Sequence, residues 1–203
     1  EAPTHLEPSN PLWYPELFLS NGYPPLHTYE SYRRTDILSL LPLIEPALHQ
    51  TRQAGFTIER VAPGSLRNEL QALYNISRET FFGEKGLVDI SWNEFQYLYT
   101  PMIRLSTARV YIARHKTSTI GYLYTALDHK REDVLLMKTV SVLPAYQRKH
   151  LAIALAAEAH RDALKDGITS VEYLLVRTRN NVNAMPYPGV QSIRSFATYA
   201  KSQ

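Results

Sequence analysis

The sequence predicts an α/β protein of the α+β kind: a mixed, mostly antiparallel twisted sheet flanked by helices. Three observations carry this. Alternating apolar segments at Ala108–Arg114, Thr119–Leu127 and Val134–Val142 follow one another across short polar turns, Lys116–Ser118 and Asp128–Asp133, the pattern of antiparallel hairpins. The third is followed by a helical stretch, 146–165, and a further strand, Ser170–Val176, which is the pattern of a right-handed β-α-β crossover between parallel strands. A chain of 203 residues that is 44% hydrophobic and 20% charged has enough apolar material to bury a sizeable core around them.

The elements can be taken in order. Six prolines fall within the first 25 residues, which forbids a long helix there, but Trp13, Tyr14, Phe18, Tyr23, Tyr29 and Tyr32 make residues 12–33 too aromatic for a disordered tail. Leu26–Arg33 reads as a strand. Residues 36–54 read as a helix capped by Asp36, with a stripe of Leu38, Leu41, Ile44 and Leu48 that tolerates Pro42 and Pro46 and stops at Gly55. Phe56–Ala62 alternates as a strand. Residues 64–82 are helical, with Leu66, Leu70, Leu73, Tyr74 and Ile76–Ser77 on one face. Ser91-Trp-Asn-Glu94 has the form of a capping box and opens a short helix over 91–99. In the helix 146–165, Leu151, Leu155, Ala159 and Ala163 share a line, and Gly167 stands past its end. Asn180–Met185 is a short helix or turn, and Val190–Ala200 a closing strand.

Composition excludes several classes. There is no cysteine, hence no disulfide, thiolate metal site or cysteine nucleophile. None of the seven histidines forms an i, i+4 pair, so no metal is expected. A net charge of +3 with pI near 9.0 is too weak to imply nucleic acid but suits an anionic ligand. No apolar run reaches the roughly 18 residues of a membrane span, and no signal peptide is visible, so a cytoplasmic protein is expected.

The informative segment is Lys138 to Leu155. A strand runs through Val142-Leu143-Pro144 into Gln147-Arg148-Lys149-His150-Leu151-Ala152 at the start of a helix. The first helical turn has free N–H groups and the positive dipole end, and cations there cost a helix roughly 0.3–1 kcal/mol each. The placement makes sense for a phosphate or pyrophosphate. Here the sequence resembles the GCN5-related N-acetyltransferase (GNAT) family, whose signature is a strand ending in Val-x-Pro and then Gln/Arg-x-x-Gly-x-Gly/Ala. The resemblance covers about 56–203 by element order and includes the later turn Asn180-Asn181-Val182-Asn183-Ala184. It departs at the motif glycine, where this chain has His150.

The resemblance implies the GNAT fold and an acyl-CoA-dependent N-acyltransferase. Such an enzyme would transfer acetyl from acetyl-CoA to an amine of a small molecule or peptide, without metal, nucleic acid or membrane as partner, and a homodimer would be compatible with it. Backbone groups of Ser141 and Val142 would bind the pantetheine arm, main-chain N–H groups of Gln147, Arg148, Lys149, His150, Leu151 and Ala152 the pyrophosphate, and Asn180 or Asn183 the pantetheine or adenosine side. Arg177 and Arg179 would line the phosphates. Tyr187, flanked by Pro186 and Pro188, would protonate the leaving thiolate. Glu172 is the candidate general base, with Glu79 and Glu84 as alternatives. A degenerate GNAT-like domain that binds a ligand or partner without catalysis is the rival expectation, favoured by His150 and by the prolines around Tyr187. An aminoacyl transferase on the same fold is a third, and would need a larger basic surface.

Residues 56–203 would make one complete domain. Residues 1–55 would be an N-terminal extension, or the tail of a preceding GNAT-like domain with a linking helix, since Leu17-Phe18-Leu19-Ser20-Asn21-Gly22-Tyr23 and His27–Arg33 resemble the ending of such a domain. With a first residue that is not Met, this suggests the C-terminal part of a longer protein.

Overall fold

Hairpins at the centre of the chain build the left half of the sheet. β3 (Ala108–His115), β4 (Ser118–Asp128) and β5 (Arg131–Val142) pair antiparallel in sequence, and β2 (Phe56–Arg60) joins the free edge of β3. β6 (Ser170–Arg177) then pairs parallel with β5 through the expected crossover, whose helix is α5 (Leu151–Lys165). The right half is completed by β1 (Pro25–Arg34), which pairs antiparallel with β6 on one side and with β7 (Gln191–Tyr199) on the other. One seven-stranded sheet results, in the order β2-β3-β4-β5-β6-β1-β7. The computed structural model describes residues 1–81, 89–105, 107–178 and 189–201.

Period-two alternation divides the sheet into two apolar faces. On one, Tyr111, Ala113, Leu123, Leu135, Met137, Val171 and Tyr173 meet α5 and α2 (Ile37–Gln53). On the other, Val110, Ile112, Tyr122 and Tyr124 meet α3 (Leu66–Phe81) and α4 (Trp92–Ile103). Further along that second face, Val134, Leu136 and Leu174 are covered by Leu6 from the segment before α1 (Tyr14–Ser20). Residues 25–53 share a core with residues after 56, so the packing runs across residue 55 without a break.

Local signals explain most boundaries. Asp36 Oδ1 accepts the Ser39 N–H at 3.0 Å and starts α2. The buried stripe of α2 is Ile37, Leu40, Ile44 and Leu48, while Leu38 is 69% exposed. The apolar positions at the start of this helix support either of two adjacent stripes, and packing on α5 selects the first. The capping box of α4 is complete: Glu94 N–H donates to Ser91 Oγ at 3.3 Å and Ser91 N–H to Glu94 Oε2 at 2.7 Å. α4 runs on to Ile103 through Pro101, beyond the predicted end at residue 99. A larger difference lies at α5. The predicted start at 146 is replaced by a one-turn 3₁₀ helix, Pro144–Tyr146, and a non-helical stretch, with α5 beginning only at Leu151. Arg148 (φ 61°) and His150 (φ 58°) are left-handed, so no regular helix can pass through them.

Candidate functional site

β5 and β6 are paired only over Val134–Met137 against Ser170–Tyr173. Past that point both strands continue, β5 to Val142 and β6 to Arg177, with no register between them. Each arm carries an irregularity where it leaves. On β5 the pairing with β4 steps from Thr125↔Met137 to Tyr124↔Thr139, which makes Lys138 an extra residue. On β6 the pairing with β1 steps from Tyr32↔Tyr173 to Glu30↔Val176, and Leu175 sits at φ 53°. A bulge bends and twists its strand. Two of them, on facing strands at the same level, open the sheet into a wedge. A left-handed backbone is uncommon at a residue as bulky as leucine and is a strained device of the kind that concentrates at functional sites. Ser31 Oγ, accepting the Leu175 N–H at 3.0 Å, helps to hold it.

The left arm presents backbone to the wedge. Leu143 N–H donates to Ile120 O of β4, which turns the preceding carbonyl, that of Val142, away from β4. Gln147 Nε2 donates to that carbonyl at 3.2 Å. By strand alternation the backbone groups of Val140 point the same way, whereas those of Ser141 belong to the β4 ladder. The structure thus divides the pair expected to bind the pantetheine arm. Val142 faces the opening, and Ser141 is buried with its Oγ 2.6 Å from Thr80 Oγ1 of α3.

The floor of the opening is the turn into α5. Gln147, Arg148, Lys149 and His150 are exposed, and the first helical hydrogen bond to reach back is Ala154 N–H to His150 O at 2.9 Å. The N–H groups of Leu151, Ala152 and Ile153 therefore have no helical carbonyl to bind, and no side chain caps them. His150 adopts the backbone conformation that a motif glycine would supply. Lys149 Nζ lies 5.4 Å from the Tyr146 ring centroid and 5.7 Å from that of Phe56, a cation–π position that holds its charge beside the turn. Free donors and the helix dipole meet there, and they fit an anion such as a pyrophosphate.

Glu172 does not face the opening as a base should. Its side chain is fully buried on the second face, where it accepts from Arg33 Nε (3.0 Å), Arg33 Nη2 (2.8 Å), Arg131 Nη1 (2.6 Å) and Arg194 Nη2 (2.5 Å). Burial alone would raise its pKa, but the hydrogen bonds from Arg131, Arg194 and Arg33 outweigh it and hold the carboxyl down at about 2. A carboxylate so saturated is a poor proton acceptor at neutral pH. Glu79 is exposed, one residue before Thr80. Arg177 ends the β6 arm and donates to His27 at 2.9 Å. Glu84, Arg179, Asn180, Asn183 and Tyr187 lie outside the described residues.

Sequence reasoning missed three parts. Lys138, half-buried at the bulge, donates Nζ to Leu6 O at 2.6 Å, and burial lowers its pKa. Glu7, also buried, accepts from Ser31 Oγ at 2.5 Å and forms an ion pair with Arg194, whose Nε lies 2.9 Å from Oε2, which lays residues 4–7 over the second face. A small apolar cavity between α3, α4 and the sheet is lined by Phe95, Tyr99, Tyr122, Tyr124 and Thr139. The strand pattern of Leu26–Arg33 does not name β6 as the partner.

No helix among the described residues is long and apolar enough to cross a membrane. No curated protein sequence matches the chain. Among solved structures, a fungal multi-domain GH3 β-N-acetylglucosaminidase described as containing a GCN5-related glucosamine N-acetyltransferase region matches 91% of this chain over 22% of its own, with 14% identity and a TM-score of 0.62. A conserved protein of unknown function from Staphylococcus epidermidis matches 95% of this chain over 67% of its own, at 11% identity and a TM-score of 0.58. L-PGS from Bacillus licheniformis matches 77% of this chain over 48% of its own, at 13% identity and a TM-score of 0.50. At such identities these likenesses establish the fold. The acetyltransferase (GNAT) family profile matches residues 70–187, more than half of the chain and the whole run from α3 through the wedge and the α5 turn. The chain belongs to the acetyltransferase (GNAT) family.

Proposed function

We propose that the protein is an N-acetyltransferase that takes acetyl from acetyl-CoA and delivers it to an amine of a small molecule or peptide. The observation that carries this reading is the coincidence of the wedge with the α5 turn: two strands parted by facing bulges, and free N–H groups directly after the strand that bounds the opening. Acetyl-CoA supplies the acyl group as a thioester. The Val142 N–H and the backbone groups of Val140 act as a strand edge for the pantetheine arm, while Gln147 holds the Val142 carbonyl. The amides of Arg148 to Ile153 bind the pyrophosphate, and Lys149, held on Tyr146 and Phe56, adds charge without crowding it. The amine must be neutral to attack, so a base or water takes its proton. Glu172 is assigned instead to bracing the β6 arm through its three arginines.

The test is calorimetry of the full chain with acetyl-CoA, run beside the His150→Gly variant. The expected result is saturable 1:1 binding, with a dissociation constant in the range of roughly 1 μM to 1 mM that enzymes show for their substrates. The variant should bind within about threefold of the wild type, because His150 already has the backbone angles that glycine would take. Absence of binding at millimolar acetyl-CoA would overturn the proposal.

A further inference from the structure

Two histidines 124 positions apart in sequence meet at the turn between β4 and β5. His5 Nδ1 and His129 Nδ1 are 2.9 Å apart, their rings are edge to face with centroids 4.5 Å apart, and both side chains are exposed. Asp128 is buried beside them, and one ligand atom from each of the three residues lies within 4.8 Å of the others. This grouping lies at the turn from β4 to β5, where those strands begin their pairing at Asp128↔Arg131, well before the bulge at Lys138.

We propose that His5, His129 and Asp128 form a binding site for a divalent transition-metal ion that prefers square-planar or octahedral coordination, Cu(II) or Ni(II), over the tetrahedral geometry of zinc. The separation suits ligands at a right angle. Two imidazole nitrogens each bound at about 2.0–2.1 Å lie about 2.8–3.0 Å apart at a right angle and about 3.3–3.4 Å apart at the tetrahedral angle. The observed 2.9 Å matches the right-angle value and is also the length of a hydrogen bond between the two rings, so an ion at a right angle would need no movement of the pair. Imidazole nitrogen and carboxylate oxygen are the donors that these ions take in tetragonal sites.

The carboxylate is available in part. Asp128 Oδ2 accepts from Arg131 Nε at 2.7 Å and lies 2.6 Å from its Nη2 as an ion pair, while Oδ1 accepts only the Lys130 N–H, at 3.0 Å, and keeps a lone pair. The charge of Arg131 is shared with Glu172, to which Nη1 donates at 2.6 Å. The alternative for the histidine pair is one neutral imidazole donating Nδ1–H to the other. Metal binding through both Nδ1 atoms moves that proton to Nε2 of its own ring and ties the segment holding Leu6 and Glu7 to the β4–β5 turn.

The experiment is calorimetric titration of the full chain with Ni(II) and with Zn(II), and titration with Cu(II) followed by its visible d–d absorption. Wild-type protein is expected to bind one ion per chain, with Ni(II) tighter than Zn(II). His5→Ala and His129→Ala should each weaken binding by at least about 100-fold, since loss of a ligand costs no less than loss of the groups that orient one. His49→Ala, an exposed histidine on α2, should change nothing. Equal affinity and stoichiometry in the wild type and in the His5→Ala/His129→Ala double variant would overturn the site. Zn(II) binding as tight as Ni(II) would overturn its assigned geometry.

Discussion

If Glu172 braces the β6 arm by charge, Glu172→Gln should remove a pH-dependent share of the stability of known size. The carboxyl has no solvent exposure and its pKa falls from 4.5 to about 2, because the hydrogen bonds of three guanidiniums more than offset the cost of burial. That fall is worth about 3 kcal/mol of folding free energy. The unfolded chain takes up the proton near pH 4.5 and the folded one only near pH 2. The contribution is therefore complete above about pH 4.5 and is lost as pH falls toward 2, with about 2 kcal/mol gone by pH 3. Glutamine keeps the shape but accepts weakly and leaves Arg33, Arg131 and Arg194 facing one another, so at pH 7 the variant should be less stable by about 3–5 kcal/mol. Urea unfolding of both proteins at pH 7, 5, 4 and 3 measures this directly. The gap between them should hold from pH 7 to 5 and then shrink by about 2 kcal/mol. A gap that stays constant down to pH 3 would refute the reasoning, because the carboxylate would then titrate alike in both states.

Two further outcomes follow from the packing. Gly121 lies opposite Val142 on β4, and a Cβ there would stand 2.9 Å from Ser141 O and 3.1 Å from Val142 Cγ2. Gly121→Ala should cost about 1–3 kcal/mol in thermal or urea unfolding and weaken acetyl-CoA binding, because the backbone that must shift is the wedge's own left arm. Unchanged stability would mean that β4 and β5 separate freely there. His160 is buried with its Nε2 3.0 Å from Tyr173 OH and its Nδ1 2.6 Å from Ala156 O. Burial pushes its pKa down to about 4, while the unfolded imidazole protonates near 6.5, so stability present above pH 6.5 should decline as pH falls toward 4. Its ring proton resonance in NMR should stay at the neutral position from pH 8 to 5, and a midpoint near 6.5 would show that the ring is wet.

The parts of the fold that are written locally were legible. The Asp36 cap and the Ser91–Glu94 capping box depend on residues within a few positions of one another, and the hairpins of β3, β4 and β5 and the crossover through α5 join elements consecutive in the chain. Where β1 goes was not legible, because its alternation says only that it is a strand, and its partners lie at the other end of the chain. The α5 turn was recognised by its residue types, but its conformation was not. A basic run before an apolar stripe reads as the first turn of a helix, and only the left-handed angles at Arg148 and His150 show that the helix waits until Leu151. Glu172 was expected to be a general base because nothing near it in sequence shows the arginines that claim it, which come from β1, β7 and the start of β5. The histidine pair was invisible for the same reason, since a spacing rule finds ligands on one helix and not on two segments folded against each other.

The place of β1 in the sheet bears on how the protein is made. Thr28 and its partner Thr178 are separated by 150 residues, so the strand that fills the middle of the right half emerges first and is satisfied almost last. Closing so long a loop is slow compared with forming the hairpins of β3 to β5. During that delay both edges of β1 are open to other chains. Its composition suits the wait: Glu30, Arg33 and Arg34 interrupt the tyrosines, and Pro25 stands at its start, features that discourage pairing with a neighbour. The same charges become structural once β6 and β7 arrive, when Arg33 closes on Glu172. A strand that guards itself with ions while alone is thus locked by those ions when the sheet is complete.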